Sequence, residues 1–586
     1  MNVQIPLTFA ANTNSLDAGR RGEQTDGGQI DLEAWLDVAA LTTDGIHQVR
    51  GLVLDLAVRG MLVAQERGDA AASRPSESGE STGSSQDDDE VEPRFSLPAS
   101  WAWGTLGRVC SYIQRGKSPT YADKSDVPVV SQKCVQWGGF LLDRARFVDP
   151  GSVAAYATER FLRPGDLLWN STGHGTVGRV AVFVGSSKYP KVVADSHVTV
   201  LRTSLVEPRF LWCWLASPTV QRTIEDLVSG STKQTELSTS TVVAHPVPLP
   251  PLAEQRRIVA KVDELMRMLD DLEAKQVKKL ETKARLRTAA LGALTSAVDP
   301  EALATAWARL GENFDVVFDR AESVEDLRLG VMDLASRGWL VPQDTRDQPA
   351  TAATAVKRHE IARAIGEGRL VLAGADRGSL PSGWAWEMLG NLGEDPENPV
   401  QTGPFGAQLH RTEFVSAGVP VIAVGNLTGT GFTSDGLYFV SPEKAKMLAR
   451  YDVRAGDLLF ARSGATTGKV CVAPGFVNDW RMTGHILRVR LDRRLMLPEL
   501  LVYWLWGSTA VRTQVMGNIR GGTRPGYNTG LLKGIAIPVP PLAEQRRIVA
   551  KIEQLMKLCD DLEVQLQRTE TTASKLVEAV VAEMIA

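Results

Sequence analysis

From Pro250 to Lys275 the chain reads PPLAEQRRIVAKVDELMRMLDDLEAK, and its apolar positions Ile258, Val262, Leu265, Leu269 and Leu272 recur at alternating steps of four and three. That spacing predicts a helix with all five residues on one stripe. Prolines neither continue a strand nor sit inside a helix, so Pro250 and Pro251 close what precedes them and the helix opens over Leu252 to Gln255. The pattern returns from Pro540 to Gln565 as PPLAEQRRIVAKIEQLMKLCDDLEVQ, with Ile548, Ile552, Leu555, Cys559 and Leu562 on the stripe. The second stripe runs on through Leu566, Ala573, Leu576 and Val580. The first is broken by Gln276 and Lys279 before Leu286, Leu291 and Leu294. Two matching stripes predict an imperfect coiled coil.

The chain ahead of each helix is also doubled. Helix-spaced Leu32, Trp35, Leu36, Val38 and Leu41 lead to a segment, Leu54 to Gln65, that reappears as MDLASRGWLVPQ from Met332 to Gln343. In both copies a glycine, Gly60 or Gly338, stands where a helix C-cap is expected. LPASWAWGTLG from Leu97 matches LPSGWAWEMLG from Leu380, and VPVV at Val127 matches VPVI at Val419. RPGDLLWNSTGHGTVGRVAVF at Arg163 matches RAGDLLFARSGATTGKVCVAP at Arg454, and HVTVLR at His197 matches HILRVR at His485. Short apolar runs such as VAVFV, VTVL and ILRVRL, separated by Gly, Pro, Asn and Asp, predict strands in a mixed α+β module with a curved sheet. Helical stretches are expected around Phe210 to Val228 and Pro498 to Val515.

The predicted organisation is a disordered N-terminus (1–29), a helical region (30–66), an acidic linker (67–96), a first module (97–249), a central helical region (250–341), a linker helical around Ala355 to Ile365 (342–379), a second module (380–539) and a closing helix (540–586). A doubled unit of this kind implies a pseudo-twofold molecule with its termini brought together.

Composition changes the picture little. At 586 residues the chain exceeds one core. It holds no run of eighteen apolar residues and no signal-peptide pattern at its start, which makes the cytoplasm the expected location. Cys110, Cys134, Cys213, Cys471 and Cys559 are scattered, without the pairing of a zinc site or a disulfide framework.

The net charge of −4 conceals its distribution. Ser73 to Glu92 holds seven acids against Arg74, while Pro93 to Val247 carries seventeen Lys/Arg against eleven Asp/Glu and Leu380 to Pro538 sixteen against twelve. Both modules are mildly basic, which suits nucleic acid and is also common on ordinary domains.

Catalytic motifs are missing. GHGTVGRV at Gly173 and GATTGKV at Gly464 fall short of a phosphate-binding loop: the first has Arg179 then Val180, and the second lacks a spacer residue and has Val470 in place of a hydroxyl. Both read as glycine turns between strands. No GxSxG, HExxH or dinucleotide loop occurs. His197 and His485 have no acid partner in view, which favours structural or hydrogen-bonding roles. Two loops, SGSTKQT from Ser229 and IRGGTRPGYN from Ile519, stand at the same distance before the PPLAEQ helices. Their glycines, hydroxyls and cations suit phosphates and base edges, and equally a solvated turn.

Two modules, each opening at Leu-Pro-x-x-Trp and closing at PPLAEQRRIV, resemble the specificity subunit of type I restriction-modification systems. The likeness runs from about Leu52 to the end of the chain. It implies two target recognition domains held apart by long antiparallel coiled-coil helices, each reading one half of a bipartite site in double-stranded DNA. It further implies that the helices dock two methyltransferase subunits and, through them, restriction subunits. S-adenosylmethionine, ATP and magnesium then belong to those partners, and this chain has no cofactor, no metal, no catalytic residue and no membrane.

The duplication sorts the DNA candidates. Residues shared by both modules, Arg179/Lys469, His197/His485 and Thr232/Thr523, should serve the fold or phosphates, because a sequence-independent job can be the same twice. Residues that differ should read bases: Arg115, Lys117, Lys133, Asn170, Lys233 and Gln234 in the first module, and Arg411, Asn426, Arg462, Arg520, Arg524 and Asn528 in the second. The rival readings are a coiled-coil scaffold that binds proteins only, or an ATP-using enzyme.

Overall fold

The computed structural model describes residues 42, 44–66, 68–69, 95–173, 175–224, 236–365, 380–429, 431–462, 467–517 and 526–585. They fall into two compact units, one from residues 11–279 with 570–586 and one built on 280–569.

In the first unit, helix α1 (Gly45–Val58) ends as expected at Gly60, whose φ of +74° is open to glycine. The module then opens with β1 (Ala102–Thr105), which pairs antiparallel with its last strand, Pro246–Leu249, so entrance and exit are clamped together. Between them run β2 (Cys110–Arg115), β3 (Tyr121–Ala122), β4 (Pro128–Val130), β5 (Val135–Gln136), β6 (Gly139–Phe140), β7 (Arg146–Val148), β8 (Leu167–Asn170), β9 (Val180–Val182), β10 (Val193–Ala194) and β11 (Val198–Thr203). The closing strand is β12. One four-stranded sheet has the order β2-β11-β8-β9, another β10-β4-β7-β3, and β5-β6 is a separate hairpin. Helix α2 (Pro208–Ala216) packs on α1 and β9. The 44-residue helix α3 (Leu252–Thr295) follows at the predicted position.

The second unit repeats the plan. Helix α4 (Val324–Ser336) ends at Gly338, φ +77°, and α5 (Ala350–Ile365) comes next. The module runs from β13 (Ala385–Met388) to β24 (Ala536–Val539), again an antiparallel pair. The strands used below are β14 (Val400–Thr402), β15 (Val419–Ile422), β16 (Leu427–Thr428), β17 (Gly431–Phe432), β18 (Tyr438–Val440), β19 (Asp452–Val453), β20 (Leu458–Ala461), β21 (Val470–Val472), β22 (Trp480–Met482) and β23 (Ile486–Val489). The sheet β14-β23-β20-β21 matches β2-β11-β8-β9 strand for strand. The other sheet, β18-β15-β22-β19, keeps the parallel pair β15-β22 that answers β4-β10, but places its fourth strand on the opposite edge. Helix α6 (Pro498–Gly507) packs on α4, and the 44-residue α7 (Leu542–Ile585) closes the chain. The fold is α+β with two α/β modules, as expected.

Up to Leu272 and Leu562 the stripes are buried within their own units. Ile258, Val262, Leu265 and Leu269, with Leu272 at the margin, pack with Val49 and Val53 of α1 and with Trp214. Each fully buried residue of this kind stabilises by ~1.5–3 kcal/mol. The salt bridges of Arg50 with Asp270 and Glu273, whose carboxylates are exposed, contribute ~0–1 kcal/mol each, so apolar burial seats the helix. Ile548 and Ile552 pack with Trp504, and Leu555 is buried. Cys559 and Leu562 lie against Val324. Beyond Ala573 the buried residue is Val577 rather than the expected Leu576: a step of four stays nearer one face than a step of three.

The repeated motifs meet one another. Gln65 and Gln343 donate to Glu254 and Glu544 of the two AEQ segments, the latter at 2.6 Å, and Trp384 adds a 3.0 Å bond to Glu544. A Cβ on Gly60 would meet Pro98 Cγ at 2.5 Å and one on Gly338 would meet Pro381 Cγ at 2.4 Å, so each glycine seats the Leu-Pro of its module. Asp55 and Asp333 accept backbone bonds from Thr219 (3.0 Å) and Thr509 (2.7 Å). In the segment expected as a linker, 342–379, the helix expected around Ala355 to Ile365 is present and begins five residues earlier. Helix α5 starts at Ala350 and buries Ala350, Thr354, Lys357 and Ile361.

Candidate nucleic-acid interface

In the sheet β2-β11-β8-β9 every neighbour is antiparallel, so the end of β2, the start of β11, the end of β8 and the start of β9 share one edge. Arg115 ends β2 and forms an ion pair with Glu236. His197, exposed just before β11, shares a 2.6 Å hydrogen bond with Thr172 Oγ1, and its backbone N–H donates to Asp195 (2.9 Å). Burial is the main reason that the Asp195 carboxyl titrates above the ordinary range.

Arg179, just before β9, donates to Gln136 Oε1 and Gly175 O, both at 2.8 Å. Lys117 is exposed two residues past β2, its ammonium 5.8 Å from the centre of the Tyr156 ring. Lys133 is exposed ahead of β5. Asn170 is fully buried, with its amide N–H bonded to Gln132 O at 3.3 Å, so its side chain is tied into the fold. Three buried atoms at this edge, Arg115 Nη2, Arg179 Nε and Asn170 Oδ1, have no hydrogen-bond partner among the described residues. Two are arginine donors with bonding capacity to spare.

The second module has the same edge. His485 lies exposed before β23, Arg462 follows β20 and Lys469 lies exposed before β21. Arg462 Nε donates to Tyr527 O at 3.0 Å, and its guanidinium lies 4.7 Å over the Phe405 ring. Asn528 caps the helix Thr529–Lys533 by accepting from Leu531 N–H at 2.8 Å, as Ser238 caps Thr239–Val243. Arg411 is exposed on the turn Arg411–Glu413 between β14 and β15. Asn426 is buried, with its amide accepting from Ala423 and donating to Thr433 and Asp435, so it too belongs to the fold.

Thr232, Lys233, Gln234, Arg520, Thr523 and Arg524 lie outside the described residues. Glu236 bridges Thr172 and Tyr527 N–H donates to Arg462 O (2.7 Å), so the described chain resumes at this edge in both modules.

Among the described residues the edge holds cations and hydroxyls. Burial pushes the thiols of Cys110, Cys213 and Cys471 up to about 12 and that of Cys559 to about 11. Among the described residues no cluster of His, Cys, Asp or Glu has the makings of a metal site, and no helix is long and apolar enough to cross a membrane. Sequence reasoning missed Glu236, Trp137 and Phe405. The Trp-Gly-Gly turn was the one available signal for Trp137.

Two stretches, residues 98–282 and 413–569, match the family described as type I restriction modification DNA specificity domain, each running past its module into the long helix that follows. This is the class of protein the doubled module defines. The matches cover more than half of the chain, which therefore belongs to the family of type I restriction-modification specificity subunits, with two DNA specificity domains on one polypeptide. It is similar to the specificity subunits of type I restriction enzymes EcoAI and EcoEI of Escherichia coli, 25% identical to each over 91% of this chain and 93% of theirs. A solved structure of the HsdS subunit from Thermoanaerobacter tengcongensis, 19% identical, aligns over 84% of this chain and 99% of that one with a TM-score of 0.39.

Proposed function

We propose that each module reads one half of a bipartite site in double-stranded DNA through the sheet edge described above. The observation that carries this reading is the repetition of one sheet edge with unlike side chains. Arg179 and Lys469, and His197 and His485, hold equivalent places and suit phosphate or framework roles. Arg115, Lys117 and Lys133 in the first module, and Arg411 and Arg462 in the second, differ and suit base edges, while Asn528 is held as a helix cap like Ser238. The loop residues Thr232, Lys233, Gln234, Arg520, Thr523 and Arg524 belong to the same proposal.

The two 44-residue helices, each about 66 Å long at 1.5 Å per residue, are suited to hold the modules apart and set the spacer between half-sites. They dock two methyltransferase subunits, through which restriction subunits join. Adenine methylation from S-adenosylmethionine and cleavage driven by ATP and magnesium belong to those cytoplasmic partners, and this chain recognises without catalysing. A gel shift of the purified chain on duplex DNA at two salt concentrations tests it. Binding that weakens steeply with salt supports phosphate contacts, and absence of binding at low salt favours a protein-only scaffold.

A further inference from the structure

We propose that one exposed aromatic ring in each module, Trp137 in the first and Phe405 in the second, is a specificity-determining contact with the bases of the DNA duplex. The inference rests on the reading that these modules bind DNA. It adds two aromatic residues to a set of polar candidates.

Trp137 sits in the turn of the β5–β6 hairpin and is 54% exposed. Phe405 stands three residues past β14 and is 52% exposed. Leaving such a ring in water forgoes much of the ~1.5–3 kcal/mol that burial of a large apolar side chain provides. Each ring carries an arginine from the sheet edge: Arg179 lies 6.0 Å from the Trp137 ring centre and Arg462 4.7 Å from that of Phe405. Gln136, next to Trp137, holds the same Arg179, and Arg462 also holds the segment that caps the helix after the second loop. Ring and cation therefore form one surface. Arg179 is drawn to phosphate and Arg462 to a base edge, and either attraction brings the ring up to the bases.

The two rings come from different places on a shared frame. Gly116 and Gly403 are equivalent, for a Cβ on either would strike a backbone carbonyl oxygen, that of Asp195 at 2.2 Å or of Thr483 at 2.1 Å. Counting on from them, Ser118 stands where the second module has Phe405. The hairpins β5–β6 and β16–β17 also correspond, and there Trp137 stands where the second module has Gly429. A ring needed by the fold would recur at one place. A ring that reads sequence differs between modules, since the half-sites differ. Apolar contact with a thymine methyl group or a base step is the chemistry such a ring supplies.

The test uses the full chain assembled with its methyltransferase subunits. It measures affinity for a duplex carrying the site and for a random duplex over a range of salt. Trp137→Ala should lower the ratio of specific to random affinity by roughly fivefold or more. Its salt slope should stay unchanged, because every cation that meets a phosphate is still in place. The effect should disappear when the first half-site is already scrambled, and Trp137→Phe should restore part of the ratio. Phe405→Ala should do the same for the second half-site.

An unchanged ratio in both alanine variants overturns the inference. So does a uniform weakening on both duplexes with a shallower slope, which would make the ring a prop for the arginine alone. Dissociation of the methyltransferase subunit with DNA discrimination intact would make the ring a protein contact and also overturns it. A wild-type assembly with no preference for any duplex sinks the underlying reading as well.

Discussion

Trp384 donates its indole N–H to the carboxylate of Glu544 at 3.0 Å, joining the residue that opens the second module to the helix that follows it. Glu544 is 1% exposed and also takes a bond from Gln343. Burial raises its carboxyl above the ordinary range, against the opposing pull of those two donors and of Arg547. Three motifs far apart in sequence are thus fastened at one carboxylate.

Trp384→Phe removes one donor and leaves a buried carboxyl short of a partner. Stability of the second unit should fall by about 1–3 kcal/mol. Urea denaturation followed by circular dichroism checks this, and an unchanged midpoint would show the bond to be incidental.

Asp492 supplies a pH dependence. Burial works against its charge, but Arg494 (2.7 Å) and Lys357 of α5 (3.1 Å) hold the carboxyl down at about 2, against an ordinary 3.8. A carboxyl lowered on folding contributes stability above its unfolded pKa and loses it as pH falls through the folded value. With Arg494 largely in water, screening holds the contribution to about 1–2 kcal/mol at neutral pH. Asp492→Asn should therefore be less stable than the parent by about that much at pH 7. The gap should close as pH falls from about 4 towards 2. A constant gap across that range would contradict the linkage.

Arg520 and Arg524 provide a test of module independence. Their joint change to alanine should weaken recognition of the second half-site by about 1–3 kcal/mol for each bidentate arginine–guanine pair removed, with the first half-site unaffected. Competition binding with duplexes altered in one half at a time reads this directly. Equal affinity for every competitor would make both residues ordinary surface arginines.

The proposed role of the long helices in setting the spacer has its own test. One heptad added after Leu272 and one after Leu562 keep the stripe in register and lengthen each helix by about 10 Å. That is close to three base pairs, so the half-site sequences should persist while the spacer grows by up to about three. Active protein with its original spacer would mean that something other than these helices fixes the separation.

Much of this was legible in the sequence because it depends on local geometry. The paired prolines Pro250–Pro251 and Pro540–Pro541 mark where strand gives way to helix, although Pro246, Pro248 and Pro538 stand inside those strands; Gly60 and Gly338 end helices, and the step of four and three marks the buried face. The site was less legible. Asn170 and Asn426 have the composition of loop readers, yet each is bound to backbone groups brought together only by tertiary structure. Helix α5 has a weak apolar pattern, being rich in Ala and Thr, and its anchorage depends on Lys357 meeting a carboxylate more than a hundred residues away. Trp137 and Phe405 read as ordinary apolar residues until their exposure beside an arginine is seen.

The most direct test of two independent readers is to replace residues 380–539 with a second copy of 97–249 and map methylated sites in cells that also express the methyltransferase subunit. The expected result is a site in which the first half-site sequence stands on both sides of the spacer. An unchanged, asymmetric site would contradict the assignment of one half-site to each module.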